Sequence, residues 1–318
     1  MTPRPPHGRM DAAALARQHR LNHLRSLLVM AGIAAWMALV GWLVAGGVGI
    51  LWSAAGAVLT LLVQPVRSTT LLKALYGAVP LEPVQAPGLY ALVTELARRA
   101  GLPRVPPLLY IPRLEMIALS TGWGRDSTIA LSDGMLRGLP GRELAAVLAH
   151  EISHLRVGDI KLLRLAEAAG RLTRVVALFG LMMMALYLPE LEAMGGVPLL
   201  PLALLAAAPV VSDLLALALS RTREFDADAG AAELTGDPDG LISALRRLSL
   251  LQGEGWERLR RGQAFRWLRL IQTHPGTDER VSRLRELAPS PLPQWLVLPE
   301  VMLPTGLVAL AAKRGWRR

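Results

Sequence analysis

The sequence predicts a mainly α-helical integral membrane protein with about four transmembrane helices, a small β-sheet and a polar domain outside the bilayer. Three observations predict it. Of 318 residues, 52% are hydrophobic and 19% charged, which is too apolar for an ordinary soluble domain. No residue from Ser26 to Val66 carries a charge, and a spanning helix needs about 20 apolar residues, so this run is long enough for two. Short apolar runs at 105–111, 116–121 and 127–132, separated by Gly, Pro and Asp, read as three strands of one sheet.

The first run reads as a hairpin of 27–45 and 48–65, with Gly46, Gly47 and Gly49 supplying the turn. It is too long for a cleaved signal peptide and lacks a clear cleavage site. The second pair is weaker. Residues 172–188 are apolar except for Arg174, which lies near one end and can snorkel. Residues 197–219 are apolar except for Ser212 and Asp213, and Pro198, Pro201 and Pro209 kink or delay the helix. A pair of buried soluble helices is the competing reading. Intramembrane acids usually face a partner, so Asp213 is expected to pair with Arg171 or Arg174.

The loops set the orientation. Arg4, Arg9, Arg17, Arg20 and Arg25 precede the first span, and Arg67 and Lys73 follow the second. The turn of the second pair holds Glu190 and Glu192 and no Lys or Arg. The positive-inside rule then places the polar domain in the cytoplasm of a cell whose inner (plasma) membrane holds the spans. The net charge of +10 suits an anionic lipid surface. With 5% aromatic residues and no nucleic-acid motif, no nucleic-acid partner is expected and the lipid bilayer is. There is no cysteine, so disulfides and thiolate metal sites are excluded.

The expected organisation is a basic segment at 1–26, a hairpin at 27–66 and the first part of the polar domain at 67–165. A second hairpin at 166–220 and the second part of the domain at 221–290 follow. The basic tail at 291–318 is read as a membrane-surface segment or a solvated one. Within the polar parts, Leu89, Leu92, Val93, Leu96 and Ala100 predict a helix over 87–100, stopped by Gly101 and Pro103. A further helix runs from near Pro140 through His154 to Gly158, and three more cover 221–234, 238–252 and 278–287.

The chemistry lies in His150-Glu151-Ile152-Ser153-His154. Positions i and i+4 share one helical face, so His150 and His154 can bind one zinc ion per chain. Glu151 projects beside the metal, where it can hold and deprotonate water. A catalytic zinc takes three protein ligands and keeps one position open. Glu224, in Arg223-Glu224-Phe225-Asp226-Ala227-Asp228, is the expected third ligand. Asp228, one turn on, is expected to accept a hydrogen bond from a ligand histidine. Asp226 points elsewhere and is expected to be solvated. Arg142, Glu143, Arg156 and Asp159 flank the motif and place its helix in water rather than in the bilayer.

His150-Glu151-x-x-His154 with Gly158-Asp159, then Arg223-Glu224-x-x-Ala227-Asp228, then Thr273-His274-Pro275 with Glu279-Arg280, resembles the HtpX family of membrane metallopeptidases. The CAAX prenyl protease type is a more distant relative. The resemblance covers about 70–287, with the motifs in order. It implies a gluzincin protease domain facing the cytoplasm, one zinc ion, and cleavage of membrane proteins or peptides, in membrane protein quality control. It also implies that His274 and Arg280 sit near the metal and steady the oxyanion, a need with a physical basis. One position departs from the family pattern: Ile117 stands where an Asn usually opens the strand before Thr121-Gly122, so an Asn contact to the substrate backbone does not carry over. A catalytically inactive membrane scaffold of the same fold and a transporter using Asp213 are the rival functions. The first would lack metal and activity, and the second would move solute in liposomes.

Overall fold

The computed structural model describes residues 12–62, 68–122, 126–193, 195–260 and 276–287. His274, the first residues of the basic segment and the tail 291–318 lie outside them. The described elements are α1 (Ala12–Leu62), α2 (Ser68–Tyr76), β1 (Val79–Leu81), α3 (Pro87–Arg99), β2 (Leu108–Ile111), β3 (Ala118–Thr121) and β4 (Thr128–Ser132). They continue with α4 (Asp133–Gly138), α5 (Gly141–Val157), α6 (Asp159–Leu186), α7 (Leu188–Ala193), α8 (Leu199–Thr235), α9 (Pro238–Arg260) and α10 (Thr277–Arg285). The chain is mainly α with a small mixed sheet, as expected. It separates into two compact units: one from the described residues of Met1–Arg20, Val66–Ile160 and Glu224–Arg318, the other from Leu21–Pro65 and Lys161–Arg223.

In the first unit the sheet runs β1-β2-β4-β3. β2 and β4 are parallel, and β1 and β3 flank them antiparallel. Three of the strands match the expected runs. β1 was not expected, because Pro80 within it breaks the strand signal; at a sheet edge a missing N–H is tolerated. One face of the sheet contributes Leu81, Leu108, Tyr110, Ile129 and Leu131 to a single apolar core shared with α3, α5, α9 and α10. The other face, with Leu109, Ile111 and Ala130, packs on Leu72 of α2 and on Ala78.

α5 lies in this core with both ends fixed. At its start Arg142 donates Nε and Nη2 to Asp237 at 2.7 and 2.8 Å. Glu143 accepts from Ser243 Oγ at 2.7 Å and Arg247 Nε at 2.6 Å, both on α9. At its end Gly158 takes the left-handed conformation (φ 74°), which a glycine C-cap adopts without a Cβ penalty. The reading that its flanking charges stand in water is therefore corrected in part. Glu143 and Asp159 are buried and paired, at 5% and 2% exposure.

The second unit holds long apolar helical segments. Three described helices are long and apolar enough to cross a membrane. The first of them breaks at Ala45 and Gly46, where Gly46 has φ 58°. A Cβ on Gly49 would strike the carbonyl oxygen of Gly41, eight residues back. An unbroken helix would separate those residues by about 12 Å, so the chain doubles back here as a hairpin. Small residues let the helices approach, as in membrane bundles. Gly180 sits against Val44 and Leu205, and Gly56 against Leu172. Arg174 donates Nη2 to Asp213 at 2.8 Å, the second of the two expected partners, while Arg171 pairs with Glu167. The 221–234 helix is the continuation of α8 rather than a separate element, because nothing in the sequence after Leu219 interrupts it.

Candidate metal centre

The centre is assembled from α5, the last third of α8 and α10, all in the first unit. Nothing larger than a hydroxyl separates α5 from α8 at one point. A Cβ on Gly230 would collide with Oγ of Ser153 and lie 3.0 Å from its Cβ. That close approach lets acids on α8 reach the histidines on α5.

His150 and His154 stand one turn apart with ring centroids 4.8 Å apart and planes at 89°. Their Nε2 atoms converge to 3.2 Å. Glu224 Oε2 lies 3.6 Å from His150 Nε2, and Glu224 Oε1 lies 3.8 Å from His154 Nε2. The three residues thus offer one ligand atom each within 4.8 Å of one another and could hold a metal ion. Glu151, half-buried, sits between the histidines on the same helix.

Each imidazole has a carboxylate behind it. Asp228 Oδ1 lies 3.0 Å from His150 Nδ1. Asp159 Oδ2 lies 2.9 Å from His154 Nδ1. A carboxylate can only accept, so it favours the tautomer with the proton on Nδ1 and turns the Nε2 lone pair toward the centre. Asp159 was not assigned this role from sequence. Its position just past the Gly158 cap, five residues after His154, is the signal that marks it.

Arg280 reaches this acid cluster from α10 and is buried. It donates Nε and Nη2 to Asp228 at 2.7 and 2.6 Å, and its Nη1 is 3.5 Å from Glu224 Oε2. Burial works against its charge, but Asp228, Glu224 and Glu151 outweigh that and hold it protonated beyond the ordinary arginine range. Burial likewise works against charge on Asp228, and Arg280 and His150 overcome it, keeping the carboxylate ionised below the usual range. For His150 burial disfavours the cation, but Asp228 and Glu224 prevail and the pKa rises to about 10.

Asp226 corrects an expectation. It is buried rather than solvated, and its Oδ1 is 2.7 Å from Nδ1 of His19 on α1. Ile117, at the departing position, packs with Leu119 against the cluster that includes Leu109 and Ile111. Its backbone N–H donates to Ser132 Oγ, and its carbonyl accepts from Ser132 N.

Residues 83–288 match Peptidase family M48. The chain belongs to that family. It is 32% identical over 284 residues to a protein from Trichormus variabilis named protease HtpX homolog, across 84% of this chain and 96% of that one. It is 31% identical to protease HtpX from Legionella pneumophila, across 84% and 99%. Among solved structures it is similar to S. mikatae Ste24p, with a TM-score of 0.46 and 19% identity over 85% of this chain and 66% of that one. The M48 match and the two HtpX relatives make the chain an HtpX-like membrane metallopeptidase, a hydrolase acting on peptide bonds.

Proposed function

We propose that this chain is a zinc endopeptidase that cleaves membrane proteins, with His150, His154 and Glu224 holding one zinc ion and Glu151 acting as general base. The observation that carries the reading is the convergence of the three donors. A tetrahedral zinc with bonds of about 2.0–2.1 Å separates its ligand atoms by about 3.3 Å. The distances of 3.2, 3.6 and 3.8 Å among Nε2, Nε2 and the Glu224 oxygens come close to that triangle. Two nitrogens and one carboxylate leave a fourth position for substrate, as in catalytic rather than structural sites.

When bound, zinc supplies Lewis acidity, which polarises the scissile carbonyl and brings the pKa of water down to about 7. The residues of the chain do the rest. Glu151 takes a proton from water as its oxygen adds to the carbonyl carbon, then delivers that proton to the amine as the C–N bond breaks. Asp228 and Asp159 keep the two imidazoles turned inward, and Arg280 keeps Asp228 and Glu224 in place. His274 is proposed, on the resemblance, to donate to the oxyanion. The substrate backbone lies extended along β3, one of the two edge strands of the sheet, and adds a strand to it. In place of an Asn amide, Ile117 offers only an apolar side chain, so main-chain pairing carries more of the binding.

The segments 67–165 and 221–290 are read as the two halves of the protease domain, on the cytoplasmic side of the inner membrane, and its task as quality control of membrane proteins. The histidines precede the second hairpin and Glu224 follows it, so the chain returns to the side it left. Metal analysis of purified protein tests the reading. The wild type should carry one zinc per chain, and His150→Ala, His154→Ala and Glu224→Ala should each lose it. A wild type that holds no zinc after zinc loading contradicts it.

A further inference from the structure

Residues 12–20 of α1 belong to the same unit as the metal centre. Ala14 is buried in its core and Leu15 packs against that core. Two consecutive side chains then grip two different helices. Gln18 Nε2 donates to the Arg283 carbonyl at 3.0 Å, one of the last carbonyls of α10, which have no partner within the helix. His19 Nδ1 donates to Asp226 Oδ1 on α8 at 2.7 Å. Arg283 in turn covers the ring of Phe225 at 3.6 Å from its centroid. Positions 18 and 19 therefore hold the helix of Arg280 and the helix of Glu224 at once.

Glu224 and Asp228 lie on nearly the same side of α8, while Asp226 is about 200° around from Glu224. The helix is thus held from two sides, by His150 and Arg280 on one and by His19 on the other. Rotation about the helix axis is the motion that this arrangement blocks. A carboxylate about 5–6 Å from the axis moves by about 1 Å for a roll of 10°. Metal sites tolerate about 0.2 Å. A small roll is therefore enough to spoil the third ligand.

We propose that His19 is a positioning residue, which through Asp226 fixes the rotation of α8 and so seats Glu224 against His150 and His154. The inference rests on the zinc reading above. His19 itself is supplied by α1, the helix that also carries the first apolar segment, so the brace needs no further element.

The test uses the full chain in detergent, with zinc affinity read by chelator competition, the visible spectrum of the cobalt(II)-loaded protein, and thermal unfolding of the metal-free form. His19→Leu should bind zinc about 10-fold more weakly and shift the cobalt spectrum. His19→Asn, which puts an N–H donor near the place of Nδ1, should restore both. If His19→Leu does not fold, Asp226→Leu, which keeps about the size of the side chain and removes the acceptor, carries the same comparison. A lowered unfolding temperature with wild-type zinc affinity and cobalt spectrum would overturn the brace and leave the metal centre standing. A wild type that takes up neither metal would overturn the metal centre and the brace with it.

Discussion

Nδ1 of His150 lies 3.0 Å from Oδ1 of Asp228, and the same oxygen lies 2.6 Å from Nη2 of Arg280. One buried carboxylate therefore serves both an imidazole and a guanidinium. Its two duties separate in experiment, because one concerns the metal and the other the fold.

Glu224→Ala should reduce zinc affinity more than Asp228→Ala does, since on the proposed reading it removes a ligand rather than a ligand's partner. Loss of the partner costs about 10–100-fold in affinity. Asp228→Ala should in turn cost more stability, about 3–5 kcal/mol, because it leaves buried Arg280 without its bidentate acceptor. Chelator competition and thermal unfolding of both variants check this. The same order in both measurements would contradict the division of roles.

Zinc uptake should depend on pH through His150. Its pKa in the metal-free protein is raised to about 10, so at neutral pH the metal has to displace a proton. Apparent zinc affinity should rise by about tenfold per pH unit between pH 7 and 9, with close to one proton released from this site. Titration calorimetry in buffers of different ionisation enthalpy measures that number. The sign for stability is opposite. A folded pKa above the unfolded value stabilises the metal-free protein below about 6.5, and that contribution disappears as pH climbs through about 10.

Gly230→Ala should force α8 away from α5. Its Cβ would meet Ser153 Oγ and approach Ser153 Cβ to 3.0 Å, and overpacking of this kind costs about 1–3 kcal/mol. Zinc affinity should fall with stability, since the same approach seats Glu224. Adding Ser153→Ala removes the hydroxyl but not the Cβ, so it should restore part of the loss. An unchanged Gly230→Ala protein would show that the helices do not need this contact.

The membrane orientation is open to cysteine labelling, because the native chain has no cysteine. A reagent that does not cross membranes should reach Leu191→Cys from outside intact cells, and Asp126→Cys only after lysis. Labelling at 126 in intact cells would reverse the proposed orientation. Labelling at 191 only after lysis would reduce the protein to one membrane hairpin.

Most of the candidate metal centre is legible in the sequence because its determinants are local. The i, i+4 histidines and the Glu224–Asp228 pair each share a helical face, and helix geometry alone brings each pair together. The uncharged run and its glycines mark the first hairpin for the same reason. What the sequence hides is set by tertiary neighbours. Asp226 reads as a solvated acid until His19, 207 residues earlier, is seen beside it. Arg280 reads equally well as a surface charge, and only the packing of α10 on α9 and of its arginine on Asp228 buries it. β1 is hidden by Pro80, and the length of α8 by Pro198 and Pro201 at its start and Pro209 inside it, none of which ends the helix.

The most direct test of the proposed chemistry is the rate at which zinc-loaded Glu151→Gln cleaves a membrane-protein substrate, measured beside zinc-loaded wild type. The substitution keeps the size of the side chain and removes the base. The variant should hold one zinc per chain and cleave about 10²–10⁴-fold more slowly. Cleavage at a rate comparable with wild type, by protein shown to be zinc-loaded, would contradict Glu151 as the general base and with it the mechanism proposed for this centre.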